Sequence, residues 1–332
     1  MPKVSIIVPC LNEERTIGQL LAAIYVQDIP CADMEVLIAD GRSTDGTRKE
    51  ISNFQHSHPD LDVKLIDNPG RLIPTALNLA IAAAKGAYIL RLDAHCVPEP
   101  EYARHSLEAL ESGKGWCVGG VWKIRPGGRG YIAASIALAA SHPMGVGDAF
   151  YRFTTKAREV DTVPFGAFSK NLVARIGGFD ETLQANEDYQ FNTRVRQAGG
   201  KVWLDPAIRS TYFARPTLTE LARQYARYGY WKAQMLRRHP NSLRLRQVAP
   251  PLFVVSLVFL PLGVLVWPWL RWVLLGEVVS YALLLFTAAF FKALEAKKIV
   301  LLIGIPIAMA TMHLSWGVAF LWSLSTHHAR KV

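Results

Sequence analysis

Three short stretches of this 332-residue chain put acidic side chains where they could do chemistry. In "YILRLDAHCV" (88–97) an apolar strand ends in Asp93, a spacer and His95. Alternation along a strand points both side chains the same way, about 7 Å apart along the backbone. A strand running out into solvent would end in the same manner. In "NEDYQFNTRVRQAGG" (186–200) Glu187 and Asp188 open a helix that Gly199 and Gly200 close. Acids favour a helix N-terminus; an ionised carboxylate within reach of a hydroxyl can also take its proton. In "ADGRSTDGT" (39–47) Asp40 follows an apolar strand and can accept a hydrogen bond, although these residue types are also what turns favour.

The elements that must position these residues alternate. "KVSIIVP" reads as a strand, followed by Asn12 as N-cap and Glu13 and Glu14 in the first turn of a helix to about Tyr25. "MEVLIAD", "DVKLID", "YILRLD" and "GWCVGGVW" read as further strands, with helices from Pro74 to Lys85 and after Pro100. Such alternation implies an α/β fold, a mostly parallel sheet covered by helices, with ligands at the carboxyl ends of strands. Pro9, Asp40 and Asp93 each end a strand, so they converge on one crevice.

The 51% hydrophobic content comes largely from the C-terminal third. Residues 252–270 carry no charge, 272–291 only Glu277, and 299–326 no formal charge. Spans of this length can cross a bilayer, which predicts three membrane helices. The N-terminus lacks the features of a signal peptide. Three regions follow: a catalytic domain over 1–215, a basic interfacial region over 216–248, and a membrane domain over 249–332. The formal charge of +10 is uneven, since residues 208–248 hold nine Arg or Lys against Glu220 alone. Nucleic acid could explain a basic stripe. Beside a membrane span, anionic membrane lipids and the positive-inside rule explain it better, so no nucleic-acid partner is expected. That rule places the N-terminal domain in the cytoplasm, on a multi-pass plasma-membrane protein. Lys292, Lys297 and Lys298 agree with an in-out-in-out path, whereas Arg330 and Lys331 fit it less well. Cys10, Cys31, Cys96 and Cys117 show no C-x-x-C pair, as expected of reduced thiols.

The stretches "VSIIVPCLNEE", "EVLIADGRSTDGT", "LRLDAHC", "GGFDETLQANEDYQFNTRVRQAGGK" and "RQYARYGYW" stand in the order found in family 2 glycosyltransferases, and the chain resembles that family from about residue 3 to 240. "DAHC" and "VPFGAFSKNLVARIGGFDE" are most similar to the succinoglycan-type exopolysaccharide enzymes. The resemblance implies a GT-A-like domain and a nucleotide-sugar donor whose diphosphate is held by a divalent metal, Mn²⁺ or Mg²⁺. Asp93 and His95 stand where the family has Asp-x-Asp, and the imidazole moves the site toward Mn²⁺. Asp40 would bind the base and Ser43 to Gly46 shape its loop. Pro9 and Glu13 would line the other wall, and Arg71 would contact phosphate or ribose. Leu11 stands where relatives often have an aromatic residue, and Asn78 would fix its helix against the sheet. Asp188 matches the family's general base, with Glu187 orienting it, in a single displacement that inverts the anomeric centre.

"PTLTELARQYARYGYW" (216–231) opens with a Thr217-x-x-Glu220 capping box. It sets Gln224, Arg227 and Trp231 on one helix face. The resemblance gives them the acceptor sugar and diphosphate, with Tyr228 in place of a tryptophan. The same stretch also reads as an amphipathic interfacial helix. "GYIAASIALAASHPMG" (130–145) is apolar but too short to span, and is either a core helix or a membrane-dipping segment. The implied activity is membrane-bound transfer to a polyprenyl-diphosphate-linked saccharide. The alternatives are transfer directly to polyprenyl phosphate, or a non-catalytic assembly component. Intact Asp40, Asp93 and Asp188 speak against the last.

Overall fold

The computed structural model describes residues 1–326, and the chain divides into two compact units. The first comprises Met1–Lys123 and Phe150–Tyr212. It begins with strands β1 (Val4–Cys10), β2 (Met34–Asp40), β3 (Asp62–Asp67) and β4 (Tyr88–Arg91). Between them lie helices α1 (Ile17–Tyr25), α2 (Thr47–Ser57) and α3 (Ile73–Ala83). In chain order, after β5 (Cys96–Pro98) come α4 (Tyr102–Glu111), β6 (Cys117–Pro126), and α5 (Tyr131–Ala140) and α6 (Pro143–Val146), these two helices belonging to the second unit. Then follow β7 (Arg158–Glu159), β8 (Ala167–Ser169), α7 (Lys170–Ile176), α8 (Glu187–Gln197) and β9 (Val202–Ala214).

The sheet order is β3-β2-β1-β4-β8-β6-β9-β5, with β7 on β9. Its first four strands are parallel, while β8 pairs antiparallel with both β4 and β6. The sheet is therefore mixed, parallel where the three strand ends meet. Every residue of β1 and β2 is buried, because helices cover both faces, as a parallel sheet requires. Alternation sends Val4, Ile6 and Val8 into one core with Ile17, Leu20 and Leu21 of α1. Ile7 goes into the other, with Leu77 of α3 and Phe191 of α8. Cys10, Asp40 and Asp67 are register partners, so three strands finish level.

Two local expectations change. Helix α1 starts at Ile17, not after Asn12. Asn12 has φ 56°, and its Oδ1 accepts the Thr44 backbone N–H at 2.9 Å, so it joins two loops instead of capping a helix. Strand β4 also stops at Arg91, and the Cys96 N–H bonds the Asp93 carbonyl at 3.0 Å. That turn ends the alternation, so Asp93 and His95 do not share a strand face.

The second unit comprises Ile124–Ala149 and the chain from Phe213 onward. Its long helices are α9 (Leu218–Arg238), α10 (Leu245–Val264), α11 (Leu270–Ala296) and α12 (Leu301–Ser325). The last three are long and apolar enough to cross a membrane. Thr217 caps α9 by accepting the Glu220 N–H at 3.2 Å, as the sequence predicts. The 130–145 segment forms α5 and α6. Most of α5 is buried, and a Cβ on Gly304 of α12 would stand 2.1 Å from Ser135 Oγ, which makes α5 a core helix of this unit. Arg330 and Lys331 lie outside the described residues.

Candidate active site

Arg91, the last residue of β4, organises the acidic cluster. It is 2% exposed. Its Nε and Nη2 donate to Asp93 Oδ1 at 3.2 and 3.0 Å, its Nη2 donates to Glu187 Oε1 at 2.9 Å, and its Nη1 donates to Asp188 Oδ1. One guanidinium thus holds three carboxylates from two distant parts of the chain. The fork geometry of arginine allows this, where the point charge of lysine would not. Sequence reasoning passed over Arg91. The signal was a lone cation inside an apolar run, since buried charge demands a partner.

Glu187 and Asp188 form the first turn of α8, behind Asn186 at φ 65°. Burial pushes the Asp188 carboxyl up to about 7; Arg91 opposes this, and Glu187 and Asp93 add to it. With all three carboxylates ionised, the single cation would leave the cluster with an excess of two negative charges. Asp93 engages Arg91 through Oδ1, and among the described residues nothing bonds its Oδ2.

His95 follows in the turn, its Nδ1 3.2 Å from Glu13 Oε1, while Glu13 Oε2 accepts a hydrogen bond from Thr16 Oγ1. His95 and Glu13 therefore meet, joining the β1 and β4 ends. Among the described residues no group of three His, Cys, Asp or Glu side chains is placed to hold a metal ion. A cation at Asp93 and His95 would need ligands from a bound molecule and water, which suits Mg²⁺ or Mn²⁺ on a diphosphate.

Asp40 is fully buried at the end of β2. It accepts from the Ser43 N–H at 3.1 Å, from Ser43 Oγ and from Arg48 Nε. Arg48 continues to Asp67 Oδ1 at 3.0 Å, and Arg42 reaches Asp67 Oδ2 at 3.2 Å. Arg42 in the loop and Arg48 in the first turn of α2 escaped the sequence reading because surface charges look solvated until their partners are known. The Asn12 N–H donates to Ser43 Oγ at 2.8 Å and the Glu13 N–H to Thr47 Oγ1 at 2.8 Å, so the loops after β1 and β2 are stitched together. Pro9 is buried in β1. Arg71 is exposed at φ 56°, and Gly41 brings it beside Leu11: a Cβ there would lie 3.4 Å from Arg71 Cα and 3.3 Å from Leu11 Cδ1. Asn78 bonds the Phe179 carbonyl at 2.9 Å and Glu181 at 2.8 Å, so it fixes α3 to the segment after α7 rather than to the sheet.

Pro9, Glu13, Asp40, Arg71, Asp93, His95, Glu187 and Asp188 all belong to the first unit. Gln224, Arg227 and Trp231 belong to α9 in the second, where Gln224 Nε2 donates to Tyr228 Oη at 3.0 Å.

Acidic groups gathered past the carboxyl ends of parallel strands define an α/β enzyme whose ligand binds at that edge. The family model described as "Glycosyl transferase family 2" matches residues 5–176, more than half of the chain, and the chain belongs to that family. It is 28% identical over 318 residues to succinoglycan biosynthesis protein ExoA of Rhizobium meliloti, covering 95% of this chain and 93% of that one. It is 29% identical over 241 residues to the dolichyl N-acetyl-alpha-D-glucosaminyl phosphate 3-beta-D-2,3-diacetamido-2,3-dideoxy-beta-D-glucuronosyltransferase of Methanococcus voltae, covering 71% and 74%. Among solved structures, it resembles the mannosyltransferase PcManGT of Pyrobaculum calidifontis in complex with GDP-Man and Mn²⁺. That match has TM-score 0.66 and 22% identity, and covers 98% of this chain and 87% of the other. At this identity the likeness shows the fold, which is of the GT-A type.

Proposed function

We propose that the chain is an inverting, metal-dependent glycosyltransferase. It moves a sugar from a nucleotide-sugar donor to a polyprenyl-diphosphate-linked saccharide at the cytoplasmic face of the plasma membrane. The observation that carries this reading is the arginine-centred cluster, which holds a candidate base, Asp188, beside a candidate metal ligand, Asp93. A raised carboxyl pKa suits a group that must take a hydroxyl proton near neutral pH. Asp188 accepts that proton as the acceptor oxygen attacks the anomeric carbon, and Glu187 keeps Arg91 and the base in place. A single displacement inverts the anomeric centre. A metal bound through Asp93 and His95 would neutralise the departing diphosphate. Pro9, Glu13, Asp40 and Arg71 line the donor side, and Gln224, Arg227 and Trp231 take the acceptor sugar and its diphosphate. The relatives support the substrate classes: one serves succinoglycan biosynthesis and another acts on a dolichyl-linked sugar phosphate.

Chelation tests the metal. EDTA is expected to abolish transfer from a nucleotide sugar into a lipid extract, and Mn²⁺ to restore it at least as well as Mg²⁺. Full turnover in a chelated preparation would remove Asp93 and His95 from that role.

The pH profile tests the base. Only the carboxylate accepts a proton, so kcat/KM should fall as pH drops through about 7. Glu187→Gln removes a negative neighbour and should move that limb to lower pH. A native limb near the ordinary carboxylate value of ~4 would contradict the assignment.

A further inference from the structure

The length and apolarity of α12 match a membrane span, but its packing does not. Helix α9 runs beside it in the same direction. A Cβ on Gly229 would stand 2.2 Å from the Trp316 carbonyl oxygen. Further along, Gln234 Nε2 donates to Ser323 Oγ at 3.0 Å, and Arg237 Nη2 donates to the carbonyls of Ser323 and Leu324. On another flank Gly304 meets Ser135 of α5, and Gly145 lies against Met312. The 21 residues of α9 span about 30 Å, the thickness of a hydrocarbon core.

The buried residues of α9, among them Leu221, Tyr225 and Gly229, lie on one face. The opposite face carries Arg223, Arg227 and Arg238, all exposed. Gly229 meets α12 just past its midpoint, so Arg227 stands near the middle of that helix. If α12 crossed hydrocarbon, Arg223 and Arg227 would be carried to the depth where charge is costliest. Among the described residues α10 and α11 are covered far less: 6% and 17% of their most apolar stretches are buried, against 44% for α12. Close to half of α12 is thus covered by protein, as on the inner side of an amphipathic helix.

Most of what remains exposed on α12 is one stripe, with Leu324 beside it near the C-terminal end. Ile303, Ile307, Leu314, Val318 and Trp322 are all exposed, and at 3.6 residues per turn they fall within an arc of about 100°. Leu301, Ile305, Ala308 and Met312, on the opposite side, are buried. Across the α9–α12 pair, the order is thus arginines, a packed interior and an apolar stripe, the cross-section of a layer lying on a membrane.

We propose that α12 does not cross. It lies in the plane of the leaflet on the side that holds the basic 208–248 stretch, with the Ile303–Trp322 stripe in lipid, and only α10 and α11 traverse the bilayer. The occupant of the stripe is the leaflet itself, because α12 adjoins the two lipid-exposed helices: the Tyr281 ring lies 4.3 Å from that of Phe253 and its hydroxyl bonds His313 at 2.9 Å. Trp322, at one end of the stripe, suits the headgroup level. Two crossings also return Arg330 and Lys331 to the basic side, where three would put them opposite.

The test uses the full chain with one protease-cleavable epitope inserted between residues 298 and 299 and another after residue 332. Inverted and right-side-out membrane vesicles are each treated with protease. Both epitopes are expected to be lost in the same vesicle preparation and kept in the other. Loss of the two epitopes in opposite preparations would show that α12 crosses and overturn the proposal. Because no turnover is measured, the result is independent of the proposed transfer chemistry.

Discussion

Asp188→Asn should lower kcat by at least ~100-fold, the lower range for a positioned general base, while donor affinity stays near that of the native enzyme. The substitution keeps the size of the side chain and one oxygen to accept from Arg91, but the amide cannot take a proton. Donor affinity should survive because Pro9, Asp40 and Arg71 sit on other elements and none of their described contacts runs through Asp188. The competing explanation is a helix start whose acid merely favours the dipole, worth about 0.3–1 kcal/mol at an exposed site. The structure gives Asp188 a definite task instead, since its Oδ1 accepts from the buried Arg91. Isothermal titration with donor, beside steady-state turnover, separates the two. Near-native kcat with unchanged donor affinity would reduce Asp188 to a structural acid.

Arg91→Met should be the most destabilising single change in the first unit. It leaves Asp93, Glu187 and Asp188 facing one another without their shared cation. Removing one partner of a buried pair costs about 3–5 kcal/mol. The variant's carboxylates would recover part of that by taking up protons, which raises their folded-state pKa values above the unfolded ones. A group shifted in that direction loses stability as pH rises through its folded value, so the deficit should be larger at pH 8 than at pH 6. Arg91→Lys keeps the charge but not the fork, so it should fold and lose kcat more than KM. Denaturation of the detergent-solubilised variants at both pH values checks this. A Met variant as stable as the native chain at pH 8 would show that the carboxylates do not depend on Arg91.

The parallel half of the sheet was legible because β1, β2 and β3 are apolar or alternating runs closed by turn residues. Asp40 and Asp93 could be placed at its edge for the same reason. Of the antiparallel half β6 was legible, but β7 and β8 were not, because they are two and three residues long and owe their state to neighbours rather than to local pattern. The start of α1 was misplaced because Asn12 has two uses, cap or loop bridge, and only the partner loop decides between them. The partners of Arg91 escaped for a similar reason: two of the three lie 96 and 97 residues away, and no spacing rule reaches so far. Length and hydropathy found α12, but the charges that bear on its depth belong to α9.

The stereochemistry and anchor of the product test the proposed reaction most directly. Detergent-solubilised protein would be incubated with Mn²⁺, a lipid extract and a panel of α-linked nucleotide sugars, and the product analysed by mass spectrometry and NMR. A β-linked sugar on a polyprenyl-diphosphate saccharide is the predicted result, lost with Asp188→Asn. An α-linked product, or a sugar placed directly on bare polyprenyl phosphate, would contradict it.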